Sequence, residues 1–192
     1  EYEHINSLLE IAHNQPPRQL VENHTTVVSG LDPFTIDEDT RPVIVGERTN
    51  VLGSRLFKRL ISDSNIEEAA ELGRRQARNG AHILDVCLQD PDRNEVSDMT
   101  AFLDVLIRKV KAPLMIDSTD PQVIEEALKR TPGKCIINSI NLEDGEDRFN
   151  AVVPLAKRFG AALIVGCIDD NKEQAQAITR QRKLDIALRS YK

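Results

Sequence analysis

The sequence predicts an α/β fold built around a parallel sheet. Five short, almost wholly apolar segments alternate with amphipathic segments of helical length, and we expect strands at about 42–46, 82–88, 113–117, 134–140 and 162–168. Strands that are apolar along their whole length are typical of a sheet covered on both faces, and alternation with helices is typical of parallel βα units. Two architectures remain open: a (β/α)8 barrel of the TIM type with about the first five βα units present, and a complete five-stranded doubly wound sheet.

Capping signals predict the first and third helices that follow these strands, and an apolar stripe predicts the second. Ser64 and Glu67 have the spacing of a capping box, so a helix is expected to begin there and to end at Asn79-Gly80. A second helix is expected over about 95–111, where apolar residues recur on one stripe. Asp120-Pro121 combines a cap residue with a proline in the first turn, which predicts the start of the third.

The fourth and fifth helices differ in how they end. The fourth is expected over about 146–159 with Gly160 as its stop, and Pro154 predicts a kink or a break because an interior proline costs about 3 kcal/mol. The fifth is expected over about 173–191 and ends without a glycine or proline. This missing stop signal favours the barrel over the doubly wound sheet.

The N-terminal part of the chain has a different character. Apolar residues at helical spacing predict a helix over 3–13, whereas residues 14–42 are rich in proline and show little periodicity. We expect the second segment to be a linker lying on the domain surface. Because the first residue is Glu1 and both ends of the chain fall in predicted helices, the chain is expected to be a piece of a longer one.

Composition narrows the class of function. The chain has 192 residues with 40% hydrophobic content and a net charge of −6, which allows one sizeable core and disfavours nucleic-acid binding. The longest apolar run, Ala161 to Ile168, is far too short to span a bilayer, so no membrane partner is expected. Cys87, Cys135 and Cys167 are widely spaced within apolar strands, which predicts buried thiols in a reducing, cytoplasmic compartment and no metal site.

Polar residues at the ends of the predicted strands are the main candidates for a ligand site. A strand-end aspartate such as Asp117 often caps the next helix, but here Thr119 or Asp120 can take that role. Asp117 is therefore expected to face a ligand at the C-terminal mouth of the sheet. Asn138 lies several residues before the next helix, and its amide can both donate to and accept from the edge of a heterocycle.

The segment that follows the first predicted strand adds three candidates. Residues 45–54 read Val-Gly-Glu-Arg-Thr-Asn-Val-Leu-Gly-Ser, so an apolar strand runs into a polar loop punctuated by glycine. Asn50, Gly53 and Ser54 lie in this loop, and Gly53 permits close approach of the backbone to a ligand. An ordinary turn is the alternative interpretation.

Two further strand-end aspartates have more than one interpretation. Asp85 either binds ligand or organises the loop 89–94, and Asp169 begins an Asp-Asp-Asn run that could cap the last helix. The glycine-rich phosphate loops and the nucleophile elbow of other α/β enzymes are missing from the sequence.

Several of these segments together resemble one family. Val-Gly-Glu-Arg-Thr-Asn at 45–50, Ile-Asp-Ser at 116–118 and Ile-Asn-Ser at 137–139 are similar, in order, to the pterin-binding barrel of cobalamin-dependent methionine synthases. Methyltetrahydrofolate–corrinoid methyltransferases and dihydropteroate synthases are more distant relatives. The resemblance covers about residues 29–192.

The resemblance also implies a division of the chain. Glu3-His4-Ile5 is similar to the start of the helix that closes the preceding homocysteine-binding barrel of these proteins. Residues 1–40 would then be the tail helix of that domain plus a linker, and residues 41–192 the N-terminal part of the pterin-binding barrel.

A folate methyltransferase function is what the resemblance implies. In the family, 5-methyltetrahydrofolate binds at the C-terminal mouth, and its methyl group passes to cob(I)alamin and then to homocysteine on other modules of the same polypeptide, where cobalamin and zinc reside. Asp117 and Asn138 would be catalytic, because a pterin held at its edge needs a proton or strong hydrogen bond at N5 to leave. The implied folate-binding residues are Asn50, Gly53, Ser54, Asp85, Asp117, Asn138 and Ser139.

The chain departs from the family pattern at two positions. Cys87 stands where the second strand usually has asparagine, and Leu52 stands where threonine is common. Further family contacts fall beyond Lys192, and an unclosed barrel exposes two sheet edges. The chain alone is therefore expected to be inactive and to bind folate weakly or not at all.

Three alternatives to a methionine synthase function stay open. A dihydropteroate synthase or a corrinoid-protein methyltransferase could use the same barrel, and a doubly wound sheet would indicate a non-enzymatic binding module. The order of the strands distinguishes the binding module from the barrel enzymes. The strands of a barrel follow the order of the chain, whereas the strand order of a doubly wound sheet reverses at a switch point.

Overall fold

Seven strands and seven helices make up the described part of the chain, which in this computed structural model comprises residues 1–13, 15–19, 25–171, 173 and 177–191. The strands are β1 Thr26–Ser29, β2 Pro33–Ile36, β3 Val45–Asn50, β4 Ile83–Cys87, β5 Leu114–Asp117, β6 Ile136–Ile140 and β7 Ala162–Val165. The helices are α1 Tyr2–His13, α2 Arg55–Ser62, α3 Ile66–Arg78, α4 Glu95–Leu106, α5 Pro121–Leu128, α6 Asp147–Phe159 and α7 Arg180–Tyr191.

The main sheet is parallel and its strands follow the order of the chain. Its five strands pair as β3-β4-β5-β6-β7, each with the next one along the sequence. A doubly wound sheet would reverse direction at a switch point, so that alternative is wrong for this chain. The predicted α/β fold of the TIM-barrel type, present as a partial barrel of five strands, is confirmed.

Alternate residues of the strands point to opposite faces of this sheet. Leu84, Ile116 and Ile137 are fully buried on the outer face, in the large apolar cluster that the helices form with the sheet. Ile83 and Ile136 belong to a second, smaller cluster on the inner face, together with the partly buried Met115. Two residues further along each strand, the inner face therefore carries Asp85, Asp117 and Asn138.

A β-hairpin covers the N-terminal end of the inner face. β1 and β2 pair in antiparallel fashion, and Val28 of β1 packs against Ile83 and Ile136. The hairpin is tied to the sheet by Ser29, whose amide donates to the carbonyl of Lys134 at 3.0 Å. The linker predicted over 14–42 is thus wrong for the hairpin residues, because two four-residue strands are too short to show a periodic pattern.

One glycine makes this close approach possible. A Cβ at Gly30 would overlap the backbone carbonyl oxygens of Lys111 and Ala112, in the segment that leads into β5. Only glycine brings the hairpin backbone this close to the sheet without a clash. The inner face is thus covered by the hairpin at the N-terminal end of its strands.

Helix α2 is a feature that sequence periodicity did not predict. Ser54 caps it, accepting a hydrogen bond from the amide of Phe57 at 3.3 Å through its hydroxyl oxygen. The predicted capping box of Ser64 and Glu67 is wrong, because Ser64 adopts φ 57° in the short link between α2 and α3, and Asn65 occupies the cap position of α3.

Other boundaries agree with the sequence or shift by several residues. Asp120 caps α5 by accepting from the amide of Gln122 at 2.8 Å, and Gly160 ends α6 at φ 69°, both as predicted. No break occurs at Pro154, since α6 is continuous from 147 to 159. The carbonyl that this proline leaves without a donor belongs to the exposed Asn150, where water can bind it.

Three predicted ends differ more clearly from the observed ones. The strand expected at 42–46 is β3 at Val45–Asn50, and the helix expected to reach 111 ends at Leu106. The helix expected from 173 is observed from Arg180, and residues 174–176 of the expected range lie outside the described part of the chain. Among the residues described, no helix combines the length and apolar character that a membrane crossing requires.

Candidate functional site

The candidate site lies at the C-terminal ends of β4, β5 and β6, on the inner face of the sheet. Asp117 and Asn138 are direct partners in the parallel register of β5 and β6, and Asp85 projects from the neighbouring strand β4. The C-terminal edge of a parallel sheet is where α/β barrels bind their ligands. The structure therefore brings together the three strand-end residues that the sequence singled out.

Asn50, the last residue of β3, connects the two carboxylates. Its side-chain nitrogen donates to Oδ2 of Asp85 at 3.0 Å and to Oδ2 of Asp117 at 3.4 Å. Its side-chain oxygen accepts from the amides of Leu52 at 2.8 Å and Gly53 at 3.1 Å. Asn50 thus holds the carboxylates side by side and shapes the loop that follows β3.

A bulge in β3 turns Asn50 toward the site. The register with β4 shifts between Gly46 and Thr49, so Thr49 faces outward although it is an even number of residues from the inward Val45. The Thr49 hydroxyl donates to the carbonyl of Asp85 at 2.5 Å and accepts from the Gln76 amide of α3 at 3.3 Å. These bonds explain how a strand as polar as β3 remains in the sheet. Because its last residues are polar, the apolar pattern of the sequence ends before the strand does.

Asp85 is the most deeply buried of the site residues. It is 2% exposed, and within the described residues its Oδ1 has no hydrogen-bond partner. Burial raises the pKa of Asp85 to about 6, hydrogen bonding from Asn50 opposes this rise, and the charge of Asp117 adds to it. A buried carboxyl with an unused oxygen at a strand end is typical of a functional site.

The shifted pKa of Asp85 makes the stability of the chain depend on pH. The folded carboxyl titrates at about 6 and the unfolded one near 3.8, so between these values the folded state retains a proton that the unfolded state has lost. Stability is therefore expected to fall as pH rises, by about 2–3 kcal/mol in total. Urea unfolding from about pH 4 to pH 7 should show this fall relative to an Asp85→Asn variant.

A matched control separates this effect from general charge effects. Asp144 is an exposed carboxylate on the loop before α6. An Asp144→Asn variant should keep the pH dependence of the unsubstituted chain. If Asp85→Asn keeps it as well, the assignment of the pH dependence to Asp85 is wrong.

Asp117 is half-buried and reaches the mouth of the sheet. Burial raises its pKa, hydrogen bonding from the Cys87 thiol and the Asn50 amide lowers it, and the charge of Glu47 raises it. Burial also raises the pKa of Cys87 to about 12, so this side chain stays a neutral thiol that can donate to Asp117. A thiol thus lies on the inner face of β4, within reach of Asp117.

Glu95 is a carboxyl near the site that sequence reasoning missed. Burial raises its pKa, and hydrogen bonding from the hydroxyl of Ser118, the residue after Asp117, lowers it. Its Oε1 is buried without a hydrogen-bond partner among the described residues. Because Glu95 stands in the first turn of α4, its position in the sequence indicates only a favourable interaction with the helix dipole.

The other predicted site residues lie around this cluster. Gly53 is exposed, and a Cβ there would stay 3.7 Å from its nearest neighbour, so the local backbone does not require glycine. Ser54 is 6% exposed because its hydroxyl caps α2. Ser139 is half-buried, and its carbonyl accepts from the guanidinium of Arg148 at 3.4 Å.

Asp169 has a structural role instead. Its carboxylate pairs with the guanidinium of Arg182 at 2.6 Å, and it does not cap α7, which begins at Arg180. Within the described ranges, no group of three or more His, Cys, Asp or Glu side chains could hold a metal ion.

An α/β domain of the TIM-barrel type with carboxylates and amides at its C-terminal edge belongs to a class that binds small polar ligands. The sequence model of the pterin binding enzyme family matches residues 46–192. This match covers most of the chain, which therefore belongs to the pterin-binding enzyme family. At the level of the family, the predicted resemblance is confirmed, and the match supports a ligand of the pterin or folate type.

Proposed function

We propose that the chain is part of the folate-binding module of a methionine synthase and presents 5-methyltetrahydrofolate for methyl transfer to cob(I)alamin and then to homocysteine. The observation that carries this function is the cluster of Asn50, Asp85 and Asp117 at the mouth of a sheet in a pterin-binding enzyme. Cobalamin and zinc would belong to other modules of the same polypeptide.

The polar groups of the site match the edge of a reduced pterin. A pterin offers an exocyclic amino group and ring N–H groups as donors, beside a carbonyl oxygen that accepts. Asp85 and Asp117 can accept from those donors, and the Asn138 amide can donate and accept in the same plane. Adjacent strands lie about 4.8 Å apart, so residues paired across β5 and β6 can reach one ring edge.

The protonation of the site supports methyl transfer. Tetrahydrofolate leaves easily only if N5 receives a proton or a strong hydrogen bond, and burial raises the pKa of Asp85 to about 6, so this carboxyl keeps its proton to a higher pH than an exposed one. A dihydropteroate synthase made of a single barrel needs no leader such as residues 1–40, whose helix α1 has no buried residue. We therefore favour the methyltransferase over this alternative from the same family.

The N-terminal helix supports the proposal that another domain contacts this end of the chain. None of the α1 residues is buried, and Ile5, Leu8 and Leu9 are between 54% and 65% exposed. Helices with an uncovered apolar side are typical of contacts with another domain. A preceding homocysteine-binding domain is the partner we propose for α1.

An NMR titration of the isotope-labelled chain tests the function. We expect 5-methyltetrahydrofolate to bind this chain weakly, with a dissociation constant on the order of 1 mM, and to shift the amides of Asp117, Asn138 and the 51–54 loop. The dihydropterin diphosphate substrate of dihydropteroate synthases should bind more weakly, and p-aminobenzoylglutamate, which lacks the pterin, should shift none of these amides. Tighter binding of the diphosphate would contradict the methyltransferase function, and no saturable shift with either pterin would contradict pterin binding at this site.

A further inference from the structure

Arg148 links the two loops that follow the main site residues. It lies in the first turn of α6, and its Nη2 donates to the carbonyl of Ser118 at 2.6 Å and to that of Ser139 at 3.4 Å. Ser118 comes directly after Asp117, and Ser139 comes directly after Asn138. One guanidinium therefore joins the backbone immediately beyond both residues proposed to contact the pterin.

The positive charge of Arg148 is partly removed from water without a nearby negative charge. The side chain is half-buried, and within the described residues no carboxylate lies at ion-pair distance from it. Burial lowers the pKa of its guanidinium, and the charge of Asp120 opposes that effect. By contrast, the part-buried Arg182 pairs directly with Asp169. Taking a cation out of water without a counter-ion is costly unless its donors are satisfied, here by carbonyl oxygens.

The backbone it holds lies where the regular strand pairing ends, and the Ser118 and Thr119 hydroxyls also accept hydrogen bonds, from the Asp120 amide and the Gln89 side chain. Asp117 and Asn138 form the last register pair between β5 and β6, and the pairing of β6 with β7 is interrupted between Ile137 and Ile140. Beyond this point the two strand ends lack a continuous ladder. Beyond the ladder, the planar guanidinium of Arg148 connects the two segments, and its Nη1 also donates to the carbonyl of Thr119.

We propose that Arg148 is a positioning residue that sets the placement of Asp117 relative to Asn138 by holding the peptides that follow them. This inference rests on the proposed function in so far as those two side chains contact the pterin. Arg148 itself need not touch the ligand. The planar fork of the guanidinium matters, because a lysine ammonium is a single point of charge that cannot bridge three carbonyl groups at fixed angles.

The test compares Arg148→Met and Arg148→Lys with a control on the same helix. Arg158 pairs with Glu125 at 3.2 Å and its side chain is 65% exposed, so Arg158→Met removes an arginine of α6 away from the site. We expect Arg148→Met to weaken 5-methyltetrahydrofolate binding about tenfold in the NMR titration. Arg148→Lys should recover little of this loss, and Arg158→Met should bind like the unsubstituted chain.

A double-mutant cycle distinguishes positioning from general stabilisation. In an Asn138→Ala background, Arg148→Met should cost less than about twofold, because one of the two side chains that it positions has already been removed. A full tenfold loss in that background, or unchanged binding by folded Arg148→Met, would overturn the positioning role.

A measurement without ligand keeps this inference separate from the proposed function. Arg148→Met should increase amide hydrogen exchange at residues 117–119 and 138–140, and it should leave the remaining amides of the sheet unchanged. Uniform exchange changes, or none, would overturn the inference even if the chain binds pterin. Local changes in a chain that binds no pterin would instead count against the proposed function alone.

Discussion

Replacing Asp117 with asparagine is expected to weaken the binding of 5-methyltetrahydrofolate by about ten- to a hundredfold. The carboxylate can accept two hydrogen bonds from the donors of a pterin edge, whereas an amide presents one acceptor and one donor. The substituted site would set an N–H group against a ligand N–H group, and a desolvated donor without an acceptor is costly. NMR titration of the variant measures the dissociation constant directly.

A matched aspartate far from the mouth serves as the control. Asp104 lies on α4, has 57% side-chain exposure and pairs with Arg130 at 3.4 Å. Asp104→Asn should leave the affinity unchanged, because surface pairs of this kind contribute little. If a folded Asp117→Asn chain binds the pterin as tightly as the unsubstituted one, Asp117 does not contact the ligand.

The apolar strands made it possible to predict the parallel α/β sheet from the sequence. The residues of β4 are all buried, and Leu84 and Ile83 belong to apolar clusters on opposite faces of the sheet. Strands covered on both faces need an apolar run, and such a run is visible without any knowledge of tertiary contacts. The strand order was not visible, because it depends on how successive βα units pack.

The elements that the sequence did not predict depend on contacts between distant residues. β3 is polar, and it remains in the sheet because Gln76 of α3 accepts from the amide of Arg48 at 2.6 Å and donates to Thr49. The hairpin depends in the same way on its contacts with the sheet, such as the bond from Ser29 to Lys134. Local pattern carries no signal for bonds between residues so far apart in the chain.

The residues of the candidate site also fall into those that the sequence predicted and those that only the structure showed. Asp85, Asp117 and Asn138 could be named in advance because each follows a short apolar run in a strand, and parallel strands end at a common edge. The connecting role of Asn50 and the bond from Arg148 to the Ser118 carbonyl could not, since these bonds span 35 and 30 residues of sequence. Residue type identified the groups that face a ligand, and only the fold identified the groups that hold them in place.

The largest effect on stability is expected for Phe57→Ala, at about 3–5 kcal/mol of unfolding free energy. Phe57 is fully buried on α2 and meets the ring of Phe102 from α4 edge to face, with ring centroids 5.0 Å apart. The substitution removes this aromatic contact and leaves a cavity that well-packed neighbours fill only in part. Urea unfolding followed by circular dichroism measures the loss.

The adjacent residue of the same helix offers a control of similar chemistry. Leu56 is 42% exposed, so Leu56→Ala should cost less than about 1 kcal/mol. Because Ser54, the cap of α2, directly follows the loop that Asn50 shapes, the loss of Phe57 should also loosen this loop and raise its amide hydrogen exchange. Similar stability losses for the two variants would mean that α2 is not anchored through Phe57, and that the loop beside the site is held by its bonds to Asn50 alone.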